Sequence, residues 1–298
     1  MRWSSSVLTA ALFAFLAVAF WGISFVNTKA LLAELTPSTI LVSRFAIGSL
    51  FLFLFLIVFR YPLKLSLHYL PHLFILGTLG VFIHQWLQST SLLTIQASEA
   101  GWMISLVPIF TCVLACFFLH ERFTLKKGIG MLLALVGVLL ITNPTHLSAF
   151  QPGYILMFLS TINWAVYSLL LKGLRIPLPP VSITFYMCLI GTCLSLPIVH
   201  VTRSIEELTS LSITGWTHLL FLGVFVSAVA YFLWAKALTQ LQASTVSSFL
   251  YIEPLVTFLA AVYFLNEKVL LLSIVGGVII IGGVLLSNHG LTQAKNRE

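Results

Sequence analysis

Residues 96–121 read QASEAGWMISLVPIFTCVLACFFLHE, and residues 242–267 read QASTVSSFLYIEPLVTFLAAVYFLNE, a degenerate second copy of the same stretch. Each copy opens on Gln-Ala-Ser, carries a proline (Pro108 or Pro254) inside an apolar run, and closes on Phe-Leu-x-Glu. About 20 of roughly 70 positions between 72 and 140 are identical at this offset, far more than two unrelated apolar stretches would share. The sequence therefore predicts an internal duplication.

The composition places the chain in a membrane. Its 298 residues are 59% hydrophobic and 8% charged, its mean hydropathy is +1.07, and aspartate is absent. A soluble globular domain carries roughly 25% charged residues, so that class is excluded. The net charge of +7 comes from basic residues that stand singly between apolar runs, which argues against nucleic acid as a partner. The cysteines lie inside apolar stretches, so no metal, disulfide or cofactor is expected.

Ten apolar stretches of about 20 residues, bounded by proline, charge or polar clusters, are predicted to be membrane-spanning helices. They are called spans 1 to 10 and cover residues 7–33, 38–59, 70–93, 97–119, 126–142, 152–171, 180–200, 214–238, 244–265 and 270–287. The longest polar break, Thr202 to Thr214, is predicted to be a loop. The expected fold class is an all-α integral membrane protein with ten transmembrane helices.

Lysine and arginine in the short loops predict the orientation, because these residues prefer the cytoplasmic side. With the N-terminus inside, most basic residues of the loops fall on the cytoplasmic side, and only Arg203 and Lys268 fall on the other. Both termini are therefore predicted to be cytoplasmic. The expected location is the plasma membrane, as a multi-pass protein of a bacterial inner membrane.

The two copies are predicted to cross the membrane in opposite directions. Each copy has five spans, an odd number, so residues 146–298 must enter from the face opposite to residues 1–145. Inverted repeats of this kind recur in secondary transporters, where they supply two near-equivalent conformations, one open to each side, with a site at the repeat interface. The sequence therefore favours alternating access over a channel.

Pro108 and Pro254 are predicted to kink spans 4 and 9 at corresponding places. Each removes an intrahelical hydrogen bond and clashes with the preceding turn. Paired breaks in two halves point to the binding site of a transporter. The alternative is a kink that serves packing only, since membrane helices tolerate proline.

Polar and aromatic side chains on shared helix faces are the candidates for lining a substrate cavity, because lipid cannot satisfy a polar stripe. Interhelical hydrogen bonding and space filling are the alternatives for the polar and the aromatic members. The candidates are Trp21, Phe25 and Lys29 in span 1, His84 and Gln88 in span 3, Asn163, Trp164 and Tyr167 in span 6, Tyr231 and Trp234 in span 8, and Ser248 and Tyr251 in span 9.

Charged residues inside the spans are further candidates, because a charge at mid-membrane is costly. Arg44 in span 2 and Glu99 at the start of span 4 belong to the same half of the membrane and are predicted to form a pair or gate on the outer side. A purely structural pair is the alternative. Glu253 is a candidate proton carrier, together with His84 and Glu99. Its alternative role is to bind backbone groups freed at the neighbouring proline.

Glycines in spans 5 and 10 permit close approach of two helices. They are Gly130 and Gly137 in span 5 and Gly276 and Gly283 in span 10. This pattern predicts a seam, either within one protomer or between two. A homodimer through spans 5 and 10 is therefore one expectation.

Several short motifs occur in a fixed order along the duplicated frame. They are Trp21-Gly22 followed by Phe25 and Lys29, Arg44-Phe45, Ala97-Ser98-Glu99-Ala100, Glu253-Pro254, and Leu-x-Glu at the end of both copies. In these features the chain resembles the ten-helix EamA-type branch of the drug/metabolite transporter superfamily over nearly its whole length. The resemblance implies a secondary carrier with a central cavity lined by spans 1 to 4 and 6 to 9, often exporting amino acids, metabolites or drugs. Trp102 departs from the family pattern, where a smaller aliphatic residue is expected, and is predicted to narrow that cavity.

The predicted function is secondary active transport of a small metabolite, amino acid or drug-like solute, with export favoured. An uncoupled exchanger or facilitator is the alternative within transport. A membrane-embedded enzyme is a remote alternative, since the sequence lacks His-Glu-x-x-His and Gly-x-Ser-x-Gly motifs, and a receptor or scaffold is a third. The expected partners are the solute and the lipid bilayer.

Overall fold

The computed structural model describes residues 5–95, 97–121, 123–142, 151–174, 176–265 and 271–287. Within these ranges the regular structure is entirely helical. Seven helical stretches there are long and apolar enough to cross a membrane, judged by length and composition, and two shorter apolar helices accompany them. The class of an all-α membrane protein, which the composition predicts, is confirmed.

A helix or a run of consecutive helical segments lies at each predicted span. The bounds are Ser5–Leu31 (span 1), Pro37–Val58 (span 2), Leu70–Gly77, Thr78–Ile83 and His84–Ser91 (span 3), Ala97–Ile104 and Val107–Phe118 (span 4), Leu125–Thr142 (span 5), Pro152–Gly173 (span 6), Pro180–Ser195 (span 7), Ile213–Phe221, Leu222–Ala230 and Tyr231–Gln240 (span 8), Ala243–Ser248, Phe249–Ile252 and Glu253–Leu265 (span 9), and Leu271–Ser287 (span 10). Spans 2, 6 and 7 begin at a proline, whose missing N–H would have no intrahelical partner in the first turn.

The segment between spans 7 and 8 contains a short helix, Val201–Thr209, called here the connector helix. The prediction of a loop is wrong because buried and exposed side chains alternate at helical spacing along it. Ser204 Oγ lies 2.7 Å from Thr39 Oγ1. The carboxylate of Glu207 accepts a hydrogen bond of 3.0 Å from the N–H of Thr36. The connector helix therefore fastens the start of span 2.

Spans 3 and 8 each contain a π-helical segment, Thr78–Ile83 and Leu222–Ala230, at overlapping positions of the two copies. A π segment changes the phase of the side chains that follow it, and such segments are frequent at functional sites. Asn163 and Tyr231 each donate a hydrogen bond of 2.7 Å to a backbone carbonyl of the first segment. Side chains from spans 6 and 8 thus meet span 3 where its helix is irregular.

The regular helix stops just before Pro108 and Pro254 in both copies of the repeated stretch. In span 4 the helix ends at Ile104 and begins again at Val107. In span 9 residues 249–252 form a 3₁₀ turn before the helix resumes. Each proline lies in the first turn of the new segment, where its missing N–H costs no hydrogen bond.

Close contacts of glycines recur at corresponding positions of the two copies. A Cβ built on Gly223 of span 8 would lie 3.2 Å from the carbonyl oxygen of Arg44 in span 2. A Cβ built on Gly77 of span 3 would lie 3.0 Å from the carbonyl oxygen of Met187 in span 7, the counterpart of Arg44 in the second copy. Span 2 therefore packs on span 8 in the way that span 7 packs on span 3.

Spans 5 and 10 pack against each other within the chain. A Cβ built on Gly130 would lie 2.6 Å from the carbonyl oxygen of Gly283, and one on Gly137 would lie 2.6 Å from that of Gly276. Only glycine permits this approach of the two backbones. The predicted seam therefore exists inside the protomer. A homodimer through these spans stays a prediction, and it would have to use their other faces.

Candidate functional site

Aromatic rings from spans 1, 6 and 8 form one buried group, called here the aromatic cluster. The ring of Trp21 lies 5.0 Å from that of Trp164, edge to face, and 5.1 Å from that of Trp234, measured between centroids. Tyr231 lies 5.7 Å from Trp21 and 5.6 Å from Trp164. Tyr167 lies 4.7 Å from Trp164. The structure thus brings together five residues that the sequence singled out as cavity candidates.

Arg44 is a buried cation beside the aromatic cluster, with 1% of its surface exposed. Its Nε donates to Ser227 Oγ at 2.9 Å, and its Nη1 donates to Gln85 Oε1 at 3.1 Å. Gln85 Nε2 donates in turn to the hydroxyl of Tyr231 at 3.1 Å, and this hydroxyl donates to the carbonyl of Gly80 at 2.7 Å. A continuous chain of hydrogen bonds therefore links the guanidinium to the aromatic cluster and to the π segment of span 3.

His84 is buried and lies 4.5 Å from Trp164 between ring centroids. The hydroxyl of Ser160 donates to the backbone carbonyl of His84 at 3.3 Å, so its oxygen is free to accept from Nδ1 at 2.8 Å. Nδ1 also lies 3.3 Å from the carbonyl oxygen of Ser160, which can only accept. We therefore assign the proton of the neutral imidazole to Nδ1, which leaves Nε2 as an acceptor.

A narrow cavity lies next to the aromatic cluster. Its lining includes the indoles of Trp21 and Trp164 together with the polar side chains of His84, Gln88 and Glu253. Glu253 is 3% exposed, and within the described ranges its carboxyl has no hydrogen bond or ion pair. The cavity has room for about one water-sized group. This conformation is therefore closed to a larger solute.

Lys29 lies at a helix end and away from the aromatic cluster. Its Nζ donates to the carbonyls of Leu92 and Ile95, at 2.5 and 3.0 Å, just after span 3. Lys172 donates likewise to two carbonyls at the end of span 8, at 3.0 and 2.5 Å. A cation at a helix C-terminus satisfies carbonyls that have no intrahelical partner. Lys29 therefore acts as a helix cap, which corrects the expectation that it lines the cavity.

Arg44 and Glu99 do not pair. The carboxylate of Glu99 accepts a hydrogen bond of 2.8 Å from the hydroxyl of Tyr154. Among the residues that the structure describes, the ion pair present joins Arg203 and Glu207. The predicted pair is therefore wrong for this conformation, because neutral oxygens on spans 3 and 8 take the guanidinium of Arg44 instead.

The remaining candidates lie around the cluster or away from it. Phe25 is buried in the main core, and Asn163 binds the π segment of span 3. Tyr251 belongs to a second core cluster between spans 4, 5 and 10, which places it outside the cavity. The hydroxyl of Ser248 donates to a carbonyl of its own helix at 2.7 Å. The side chain of Trp102 lies outside the described residues.

Gln85 and Ser160 are the site residues that sequence reasoning missed. Gln85 is the repeat counterpart of Tyr231, so aligning the two copies around the candidates would have found it. Ser160 precedes Trp164 by one helical turn and shares its face, so the spacing would have found it too.

Carboxylates close the end of the bundle that the predicted orientation places outside. Glu34 accepts from the N–H and the hydroxyl of Ser212, the first residue of the span 8 cap, at 2.9 and 2.8 Å. These two bonds hold the pKa of Glu34 below its ordinary value of 4.5. Partial burial alone would raise the pKa of Glu207, but hydrogen bonds from Thr39 and Thr36 outweigh it and also hold that pKa below 4.5.

A carboxylate also fastens the opposite end. Glu121, which closes the first copy of the repeated stretch, accepts from the N–H groups of Ala243 and Ser244 at 2.6 and 3.2 Å and from the Ser244 hydroxyl. Lys127 donates to the side chains of Gln242 and Ser244. The end of one repeated stretch therefore fixes the beginning of the other.

Apolar helices with interrupted segments, a buried cation and a polar cavity beside aromatic rings define a polytopic membrane protein of the carrier type. The sequence comparison agrees, because the model of the EamA-like transporter family matches the chain twice, at residues 8–143 and 151–289. The chain belongs to the EamA-like transporter family, and its general role is transport.

Relatives of known sequence are transporters by name. An uncharacterized transporter of Archaeoglobus fulgidus is 30% identical over 91% of this chain and 95% of its own length. A "probable terminal-alkyne amino-acid exporter" of Streptantibioticus cattleyicolor is 25% identical over 77% of this chain and 76% of its own. An S-adenosylmethionine uptake transporter of Rickettsia conorii is 27% identical over 69% of this chain and 68% of its own. A solved crystal structure at 19% identity has a TM-score of 0.75 and covers 94% of this chain and 98% of its own, which shows a shared fold.

Proposed function

We propose that this protein is a secondary active transporter that exports a small metabolite, amino acid or drug-like solute by alternating access. The solute passes through the cavity beside the aromatic cluster, which the present conformation keeps closed. One relative is named an exporter and another an uptake transporter. Export is the direction we propose, and transport experiments decide it.

The recurring glycine contacts carry this proposal. The approach of Gly223 to the carbonyl of Arg44 and of Gly77 to that of Met187 supports two five-span units of opposite orientation, residues 1–145 and 146–298. The separate matches of the family model to each half support the same division. Two equivalent halves allow a rocking motion that opens the site to either side in turn. We place both termini in the cytoplasm, as the basic residues of the loops favour.

Glu253 is the group that we propose to couple transport to protons. A carboxyl inside a span is costly to keep charged, and within the described ranges this one has no cation beside it. It therefore needs a proton or a cationic solute when the cavity is dry. Glu253→Gln is expected to reduce flux driven by a pH gradient at least about tenfold, whereas Glu206→Gln, on the exposed face of the connector helix, leaves it unchanged.

The test begins with solute identity. Metabolites in the medium of cells that overproduce the protein are compared with those of cells that lack it, and a solute enriched only in the former is the exported substrate. Flux of that solute is then measured in vesicles of purified protein with and without a pH gradient. Equal flux in both would remove proton coupling and favour an uncoupled exchanger. No enrichment of any solute, together with no flux, would contradict the proposal as a whole.

A further inference from the structure

The polar groups that line the closed cavity are mainly hydrogen-bond acceptors. Glu253 contributes a carboxyl without a partner in the described part of the chain, and His84 contributes Nε2, since Nδ1 carries the proton. Gln88 can accept through its amide oxygen and is the sole lining side chain of these three with an amide donor. A ligand that completes this cavity must therefore supply several donors.

The aromatic part of the lining favours a positive charge on that ligand. The indoles of Trp21 and Trp164 stand edge to face, with ring centroids 5.0 Å apart, so at least one ring presents its face to the space between them. The face of an indole carries negative potential and attracts cations more strongly than a phenyl or phenol ring does. Together with the carboxyl of Glu253, these rings make a cation the charge that fits.

Arg44 does not reverse this conclusion. Its guanidinium does not line the cavity, and two of its nitrogens are committed to Ser227 and Gln85. A solute carboxylate inside the cavity would find Gln88 as its donor and Glu253 as a neighbour of the same sign. Amino acids and acids are therefore poorly matched to this lining.

We propose that the cavity binds the protonated head group of a small organic cation with N–H donors, a primary amine or a guanidine, with its apolar body against the indoles. This inference rests on the proposed function only in taking this cavity as the solute path. The closed cavity has room for about one water-sized group, which is the size of an ammonium head group. The body of the solute enters when the bundle opens. A quaternary ammonium is excluded because it cannot donate to Glu253, His84 or Gln88.

Four ligands that share one phenethyl body test the head group. Phenethylamine, phenylalanine, 3-phenylpropionate and trimethylphenethylammonium are titrated by calorimetry into purified protein in lipid nanodiscs. Phenethylamine is expected to bind at least about tenfold more tightly than each of the others, the loss expected when charged hydrogen bonds go unmade. Equal or tighter binding of phenylalanine or 3-phenylpropionate would overturn the inference, as would no binding of phenethylamine by folded protein.

Matched variants test the lining itself. Glu253→Gln should weaken phenethylamine about tenfold or more, and Trp164→Phe should weaken it about two- to tenfold, because phenyl is the poorer cation partner. Glu206→Gln and Trp216→Phe, at exposed positions, should bind as the unaltered protein does. Unchanged binding in Glu253→Gln would overturn the inference. Tight amine binding by a protein that moves no solute in vesicles would uphold the inference and refute the proposed function, whereas flux of another solute without amine binding would do the reverse.

Discussion

A guanidinium inside a membrane span needs acceptors for its donors, because lipid offers none. The sequence suggests Glu99 as the acceptor for Arg44, since it is the acid in the same half of the membrane. The structure uses the neutral oxygens of Ser227 and Gln85 instead. Pairing by charge sign fails here because polar neutral groups satisfy a buried cation without the cost of burying a second charge.

Two adjacent glycines of span 10 allow a matched test of the seam with span 5. A Cβ on Gly283 would lie 2.6 Å from the carbonyl oxygen of Gly130, whereas a Cβ on Gly282 meets nothing within 4 Å. Gly283→Ala is therefore expected to lower the free energy of unfolding by about 1 to 3 kcal/mol through overpacking. Gly282→Ala should be neutral or stabilise by up to about 1 kcal/mol through helix propensity. Denaturation in detergent micelles measures both.

The result of this pair has a clear contrary outcome. Equal stability of the two variants would mean that spans 5 and 10 do not touch at Gly283 within the protomer. The glycines would then be available for the predicted homodimer, and the mass of the purified protein in nanodiscs would show it.

At the scale of elements, the connector helix and the loop after span 1 hold the outer end by carboxylates whose pKa is lowered. Because Glu34 and Glu207 titrate below 4.5 when folded, the stability they add is complete above pH 4.5 and is lost as pH falls through their lower folded values. The facing charged groups are His218 beside Glu34 and Arg203 beside Glu207. The melting temperature should therefore be flat from pH 7 to about 5 and fall below about 4.5.

Glu207→Gln separates this effect from general acid denaturation. The variant should start with a lower melting temperature at pH 7 and lose less of it between pH 5 and 3 than the unaltered protein. Glu206→Gln, on the exposed side of the same helix, should follow the unaltered protein throughout. A Glu207→Gln curve parallel to the unaltered one would show that this carboxylate does not hold the outer end.

The sequence predicts the long elements of this protein well and its irregular ones poorly. Apolar runs bounded by proline or charge gave each span, because length and composition control insertion into a bilayer. The connector helix escaped prediction because it is short and polar, and its helical form depends on contacts with span 2 that hydropathy does not record. The π segment of span 3 also escaped, and it explains why Gln85 joins the site although the stripe began at His84.

The site was predicted in part for a related reason. Aromatic residues on spans 1, 6 and 8 meet as their shared faces indicate, because the duplication places Trp21 and Trp164 at matching positions. Lys29 was misplaced because its side chain reaches back to carbonyls of another span, which no single-helix pattern shows. Faces of one helix are readable from spacing, whereas contacts between spans depend on how the two copies dock.

At the scale of the whole molecule, both ends are closed by bonds between the two copies, so alternating access requires one end to open at a time. A disulfide across the outer end tests this. The oxygens of Thr39 and Ser204 lie 2.7 Å apart, so Thr39→Cys with Ser204→Cys needs little movement to form an S–S bond. Oxidation should lower the flux of the identified solute at least about tenfold, and reduction should restore it. Each single variant, treated with the same oxidant, controls for the cysteines already present. Full flux in protein shown by mass to be cross-linked would mean that the two copies need not separate between span 2 and the connector helix, and a rocking motion that opens this end would be ruled out.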